Sequence, residues 1–240
     1  MKLSASIMAH PQREGEVSEL LASLDRDVPV HWDGAGPPSG AGDRVWSVAR
    51  AAWSMFDPAA DFHVLLQDDA VVCQDFLAGL ERALDHVPPD CVVCPYLGQG
   101  RNVTARWGRM ATQADRVTAS WIVSDRVMWG VCLILPTARI PEVLTWADRK
   151  AGMPDDMRVN AWATRNRVDA WYCWPSLVDH RTVPSLTKHR ASDRTARRHH
   201  TGSALGLAWT GPVVLDPMTV RRRGPRSGPR GAWRADVTRV

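Results

Sequence analysis

Short apolar runs alternate with segments of helical periodicity along most of this chain. Apolar residues recur three or four positions apart in five segments, at 16–24, 44–56, 75–86, 141–149 and 155–167. Apolar runs of strand length lie between them, at 3–9, 28–32, 62–66, 91–97, 121–123, 128–135 and 170–174. This alternation predicts an α/β fold: a single Rossmann-like domain with a mostly parallel central sheet that is flanked by helices.

The composition is that of an ordinary globular protein, with 45% hydrophobic and 23% charged residues among 240. Every apolar run is broken well short of the ~20 residues that a membrane span requires. The first twenty residues contain charges and a proline too early for the apolar core of an export signal. We therefore expect a cytoplasmic protein without a membrane span.

The net charge of +4 is distributed unevenly. Residues 1–180 carry 17 basic and 23 acidic side chains, a net charge of −6, whereas 181–240 carry 13 basic and 3 acidic ones, a net charge of +10. We expect a folded domain over 1–190, a segment at 191–220 that packs on it, and an Arg-rich tail at 221–240 that is disordered when alone. The basic character therefore belongs to a C-terminal extension of an acidic body.

The five cysteines do not form a disulfide framework or a zinc site in this interpretation. Their number is odd, and no second ligand pair follows the Cys91-x-x-Cys94 spacing. Both residues lie in an apolar run, where side chains three positions apart point to opposite faces of a strand. We expect two small buried side chains.

The most informative segment for chemistry is an apolar strand that ends in two adjacent carboxylates, Asp68 and Asp69. Ligands of parallel α/β sheets bind outside the carboxyl ends of the strands. Adjacent aspartates repel each other, and a divalent cation such as Mg²⁺ or Mn²⁺ relieves that repulsion. The alternatives are a solvated strand end, or Asp69 as the cap of a following helix.

Two further segments carry candidate residues. A second apolar run ends in Asp179-His180, and a neutral imidazole at a strand end can be a further metal ligand. Asp155 and Asp156 begin a predicted helix, where they could cap it or act as a general base.

The order of these motifs resembles a known family. Ala9-His10-Pro11-Gln12-Arg13 follows the first strand, Asp-Asp follows the third, a second Asp-Asp comes late, and Pro175 to His180 reads Pro-Ser-Leu-Val-Asp-His. This arrangement, over about residues 1–190, is similar to that of GT-A-type nucleotide-sugar-dependent glycosyltransferases, especially small bacterial and phage enzymes, including the lipopolysaccharide-transferase type.

The resemblance implies a nucleoside-diphosphate sugar as donor and Mn²⁺ or Mg²⁺ as cofactor. It implies that Asp69 holds the metal, that Asp68 contacts the ribose or shares the metal, and that His180, with Asp179, completes the protein ligands. The metal motif of the family is usually Asp-any-Asp or Glu-Asp-Asp, whereas this chain has the neutral Gln67 at the first position. An amide can bind a ribose or base but supplies no negative charge.

The resemblance also implies roles around the two substrates. His10, Pro11 and Arg13 would border the base and ribose of the nucleotide. Asp155 or Asp156 would face the acceptor as the catalytic carboxylate. Trp129 and Gly130 would lie on the acceptor side, although Trp129 could equally be a core residue.

Two other functions remain open at this point. One is a metal-dependent nucleotidyltransferase or nuclease that uses the same aspartates, for which the acidic body offers no basic groove. The other is a non-enzymatic nucleic-acid-binding protein that acts through the Arg-rich tail. The acceptor could be a protein, a glycan, a lipid or a modified DNA base, and the tail could bind an acidic partner.

Overall fold

The computed structural model describes residues 1–34, 41–99, 105–183, 186, 194–219 and 237–239. Its main feature is a nine-stranded sheet with the strand order β11-β10-β6-β8-β5-β7-β3-β1-β2. Its strands are β1 (Leu3–Ala9), β2 (Val30–Trp32), β3 (Phe62–Gln67), β5 (Val92–Cys94), β6 (Trp121–Ser124), β7 (Cys132–Pro136), β8 (Ala170–Cys173), β10 (Val213–Leu215) and β11 (Val237–Arg239).

Five of the eight strand pairings are parallel, and β7 and β6 supply the antiparallel ones. The predicted α/β fold with a mostly parallel central sheet and flanking helices is thereby confirmed. A separate two-stranded antiparallel ribbon pairs β4 (Ala70–Val72) with β9 (Val178–His180).

Among the described residues, six helices cover the two faces of the large sheet: α1 (Glu14–Ser23), α2 (Ala41–Trp53), α3 (Phe76–Leu84), α4 (Ala105–Arg116), α5 (Ile140–Ala147) and α6 (Asp155–Asn166). Apolar side chains of α1 and α3 join one hydrophobic cluster, and those of α2, α4, α5 and α6 join the other. The sheet is therefore buried on both sides, which explains why the strand β7 is apolar along its whole length and buried at every position.

The sequence misplaced two elements. Residues 98–118 read as a polar connection, but α4 lies within them, because its apolar residues (Trp107, Met110, Ala111 and Ala114) are separated by polar ones. The strand expected at 128–135 begins only at Cys132. The residues before it form a connection whose Val131 carbonyl accepts a hydrogen bond from the backbone N–H of Gln67 at 2.9 Å.

The C-terminal segment contributes to the sheet. Within the apolar stretch 203–215, which we expected to pack on the body, Val213–Leu215 pairs with β6. Of the Arg-rich tail at 221–240, the structure describes only Val237–Arg239, which pairs with β10 at the sheet edge. The expected disorder of the tail otherwise concerns residues outside the described ones. None of the described helices has the length and apolar character needed to cross a membrane.

The predicted opposite orientation of the cysteine pair is confirmed. Cys91 packs in the cluster on one face of the sheet and Cys94 in the cluster on the other. All five cysteines are buried as free thiols.

Candidate functional site

The carboxyl ends of β1 and β3 form the base of the site. The two strands are parallel neighbours, with Met8 opposite Gln67, so the residues that follow them are adjacent. The backbone N–H of His10 donates a hydrogen bond to Oδ2 of Asp68 at 2.8 Å. One of the two adjacent aspartates is therefore oriented by the neighbouring strand.

The environment of Asp68 raises its pKa to about 6, chiefly through burial and further through the adjacent charge of Asp69. The His10 N–H bond and the charge of Arg13 act in the opposite direction. Arg13 is 5% exposed, and its guanidinium contacts Glu16 at 3.2 Å. Arg13 is thus a buried cation close to the paired carboxylates.

Asp69 and His180 meet although they are far apart in sequence. The pairing of β4 with β9 sets Ala70 opposite His180, which brings the imidazole Nε2 to 3.2 Å from Oδ2 of Asp69. The other carboxylate oxygen of Asp69, Oδ1, is buried and has no hydrogen-bond partner among the described residues. A buried carboxylate oxygen without a partner is costly, and a bound cation would satisfy it.

Asp179 lies on the other side of the ribbon from His180, because successive side chains alternate along a strand. Its Oδ1 accepts hydrogen bonds from the N–H groups of His180 and Ala196, and its Oδ2 lies 4.0 Å from Nδ1 of His199. Of the two adjacent candidates, the structure therefore places His180, and not Asp179, against Asp69.

Gln67, Gly130 and Asp155 come together beside this pair. A Cβ atom added to Gly130 would lie 3.0 Å from Nε2 of Gln67, 3.1 Å from Oδ2 of Asp155 and 3.3 Å from Cβ of Asp156. These distances are shorter than ordinary van der Waals contacts, so a glycine at this position lets Gln67 and Asp155 approach the backbone closely. Gln67 lies next to Asp155, and its side-chain amide interacts with the Asp155 carboxylate.

Asp155 is the most strongly perturbed carboxylate of the site. It is 3% exposed, and its Oδ2 has no hydrogen-bond partner among the described residues. Burial, followed by the charge of Asp156, raises its pKa to about 7, whereas hydrogen bonds from backbone N–H groups and from Gln67 oppose this rise. A carboxyl group with a pKa near neutrality can accept a proton at working pH.

Asp156, the neighbouring candidate, is half-buried, and its Oδ1 accepts a hydrogen bond from the Met157 N–H at 2.7 Å. Both aspartates belong to the first turn of α6, where negative charge is favoured by the helix dipole. Pro154 is the N-cap of α6, so neither aspartate caps the helix. Asp156 lies half-buried in the first turn, and Asp155 has the buried position.

Trp129 is half-buried within an aromatic group. Its ring meets those of Tyr96 and Trp107 edge to face, at centroid distances of 5.9 and 5.8 Å, and Tyr172 lies 6.3 Å away. The ring contributes to packing, and the residue also retains some exposed surface. The two roles considered for Trp129 are therefore compatible.

Two residues near the site were not singled out from the sequence. Asp33 follows β2, is anchored to β1 by its N–H, and lies 4.0 Å from the His10 imidazole. Asp33 directly follows a strand of the parallel sheet, as Asp68 does, so the rule that ligands bind at the carboxyl ends of such strands could have identified it. Tyr96 packs against Trp129, and burial together with the charges of Asp179 and Asp69 raises its pKa. No motif in the sequence indicated Tyr96.

The site lacks a complete protein cage for a metal. Within the described ranges, no group of three or more histidine, cysteine, aspartate or glutamate side chains is arranged to hold an ion. Mg²⁺ in phosphate-transfer sites usually takes one or two carboxylates and the phosphates of the substrate. Asp69 with its unpaired oxygen, together with His180, fits a cation that is shared with a substrate.

The structure thus brings together nine of the predicted residues in one region: His10, Arg13, Gln67, Asp68, Asp69, Trp129, Gly130, Asp155 and His180. Asp156 adjoins them at the start of α6, and Pro11 is exposed in the 3-10 turn Pro11–Arg13 that follows β1.

Comparison with known proteins adds little to this picture. No protein-family model and no curated protein matches the chain. One similar solved structure is that of a glycosyltransferase involved in the glycosylation of the major capsid of PBCV-1. The two share 9% sequence identity with a TM-score of 0.36, over 76% of this chain and 94% of that chain. At this degree of similarity, the functional interpretation depends on the chemistry of the site.

Proposed function

We propose that this protein is a GT-A-type glycosyltransferase that moves a sugar from a nucleoside-diphosphate donor to a hydroxyl-bearing acceptor with the help of Mn²⁺ or Mg²⁺. The observation that carries the proposal is the pairing of Asp69 with His180 at the carboxyl end of β3, with one buried carboxylate oxygen of Asp69 left unpaired. A site of this composition is suited to a cation that also binds phosphate oxygens.

Asp69 and His180 would hold the cation from the protein side. A divalent cation, when bound, would neutralise the charge of the diphosphate leaving group. It would also reverse the unfavourable local field that the acidic body presents to an anionic donor. Asp68, held by the His10 N–H and close to the charge of Arg13, would contact the ribose of the donor.

Asp155 is the residue we assign to proton transfer. Its buried Oδ2 lies beside Gly130 and has no hydrogen-bond partner among the described residues, so it can accept a hydrogen bond from the acceptor. An acceptor hydroxyl group would donate a hydrogen bond to Oδ2 and lose its proton as the new glycosidic bond forms. The ring of Trp129, the residue before Gly130, would contact the face of an acceptor sugar.

The first test is a thermal-shift panel of nucleoside-diphosphate sugars, with and without Mn²⁺. We expect at least one donor to raise the melting temperature only when Mn²⁺ is present, since a ligand that binds the folded state stabilises it. Asp69→Asn and His180→Gln should each remove this shift. Nucleoside triphosphates and short DNA and RNA, run in parallel, test the nucleotidyltransferase and nuclease alternatives.

His199→Gln is the matched control. It removes the imidazole of a second Asp-His pair on the opposite side of the same ribbon, next to Asp179. This variant should keep the Mn²⁺-dependent shift. If no donor gives such a shift, or if His199→Gln abolishes it while His180→Gln does not, the proposed site is wrong.

A further inference from the structure

Arg158 is a fully buried cation that lies one helical turn after Asp155. Its side chain is 1% exposed, and its guanidinium lies over the Trp46 ring at 5.0 Å. Burying a guanidinium is expensive unless its donors are satisfied, so the bonds that it makes indicate what it holds in place.

The guanidinium binds the connection between α5 and α6 at both ends. Nη1 donates to the carbonyl of Ala147, the last residue of α5, at 2.7 Å. Nε donates to the carbonyl of Met153, two residues before α6, at 2.6 Å. Both acceptors are backbone atoms, so Arg158 fixes the path of the chain that leads into α6.

The same connection is fastened to α2. Nη2 of Arg158 and the N–H of Gly152 both donate to Oδ1 of Asp43, at 2.5 and 2.8 Å. Gly42 approaches so closely that a Cβ atom there would lie 2.3 Å from the carbonyl oxygen of Gly152. We call the guanidinium of Arg158 and the carboxylate of Asp43 the α6 clamp.

The clamp determines where Asp155 lies, because Asp155 is the first residue of the helix that follows the held connection. The N–H of Arg158 also donates to the carbonyl of Pro154 at 3.1 Å, which closes the first turn of α6. A shift of this turn would move the Asp155 carboxylate out of the narrow space beside Gly130 and Gln67.

We propose that Arg158, together with Asp43, is a positioning residue that keeps the Asp155 carboxylate buried and aimed at the acceptor. The catalytic meaning of this inference rests on the proposed function, whereas the positioning itself can be measured without any activity. Asp155 would contact the substrate, whereas Arg158 would act only through the backbone of the connection that leads into α6.

The groups around Asp155 make the positioning measurable. Asp156 on the same helix acts on it by charge, and Gln67 at the end of β3 approaches it as an uncharged amide. Burial is the largest effect on its pKa. A loosened clamp would expose the carboxylate and lower the pKa, whereas mere loss of a nearby cation would raise it.

Arg158→Lys is the test variant. It keeps the positive charge, but a single ammonium group cannot form the guanidinium's bonds to Ala147, Met153 and Asp43 at the same time. The measurement is a pH titration of Asp155 by carboxyl ¹³C NMR, with the signal assigned from its absence in Asp155→Asn. We expect the midpoint to fall by at least one pH unit in Arg158→Lys while circular dichroism still reports a folded protein. Asp43→Asn, which keeps an amide oxygen in the same place, should shift it less in the same direction.

Arg139→Lys is the matched control, because Arg139 also combines a carboxylate, Glu142, with an indole, Trp162, but far from the start of α6. It should leave the Asp155 midpoint unchanged. If Arg158→Lys and Asp43→Asn both fold with an unchanged midpoint, the positioning role is wrong, whatever the activity of the protein.

A double-mutant cycle connects the positioning to the reaction. With a donor identified by the thermal-shift panel, kcat for Arg158→Lys should fall on the order of 10- to 100-fold, the usual effect of a misplaced catalytic group. In the Asp155→Asn background, the same substitution should reduce the residual rate by less than about twofold, since the two changes act through one group. Equal effects in both backgrounds would overturn the inference. A moved midpoint without any transferase activity would instead refute the proposed function and leave the positioning intact.

Discussion

Replacing Asp155 by asparagine should stabilise the folded protein at neutral and alkaline pH, although it removes the proposed proton acceptor. The carboxyl group is 3% exposed, and burial with the charge of Asp156 raises its pKa from 3.8 to about 7. A raised pKa means that the folded state prefers the protonated form. Stability is therefore lost as the pH rises from the unfolded value toward the folded one.

The magnitude follows from the two pKa values. Each pH unit between them corresponds to about 1.4 kcal/mol of unfolding free energy, so the full cost of ionising buried Asp155 is at most about 4 kcal/mol. Roughly 1.5 kcal/mol of this is already present at pH 5 and all of it at pH 8. The stabilising effect of asparagine, which is neutral and of nearly the same shape, should therefore grow by about 2–3 kcal/mol between these pH values.

The assay is urea unfolding of the wild-type protein and the variant, followed by tryptophan fluorescence at pH 5, 6.5 and 8. Asp148→Asn is the control, because Asp148 is a surface carboxylate whose pKa is lowered. Burial is the largest single effect and raises this pKa, but the bonds to Arg50 and Trp46 and the charges of Arg50 and Arg158 together outweigh it. That substitution should destabilise the protein at pH 8. If the difference between wild type and Asp155→Asn is the same at pH 5 and pH 8, Asp155 is not buried as an acid, and its assignment to proton transfer fails.

Three further changes test other parts of the site and its support. Gly130→Ala should fold but lose most transfer activity, measured as release of nucleoside diphosphate, because its Cβ would crowd Asp155 at 3.1 Å. Trp129→Phe should raise the KM for the acceptor and leave that for the donor unchanged, and an unchanged acceptor KM would remove Trp129 from the site. Ser6→Ala should lower the unfolding free energy by roughly 1–3 kcal/mol in calorimetry, since Ser6 bonds the buried His63 imidazole at 2.9 Å. Burial lowers the pKa of His63 to about 4, so this imidazole contributes a loss of stability as the pH drops from 6.5 toward 4, opposite in sign to the contribution of Asp155.

The strand-end rule for parallel sheets pointed to Asp68 and Asp69, which directly follow β3. His180 ends β9 of the separate antiparallel ribbon, so that rule does not account for its position beside Asp69. Strand alternation could also have shown that Asp179 and His180 face opposite ways. Deciding which of them faces Asp69 required the register of β4 and β9, which no local pattern contains.

Other features depended on contacts that have no local signal. Asp43 and Arg158 lie 115 positions apart, and an arginine within a helix ordinarily reads as a solvated residue. The burial of Asp155 likewise follows from the close approach of Gly130 and Gln67. Helix α4 was missed for a different reason, since its four buried apolar residues are diluted by polar ones.

The five buried thiols offer a way to measure transient exposure of the core of this protein. Four of them lie in, or next to, the adjacent strands β8, β5 and β7 at the middle of the sheet: Cys91, Cys94, Cys132 and Cys173. Burial raises the pKa of all four, so they react with an alkylating agent only when the sheet exposes them. The alkylation rate therefore follows transient exposure of the central strands without any introduced label, and a ligand of the candidate site can be recognised by how far it slows that rate.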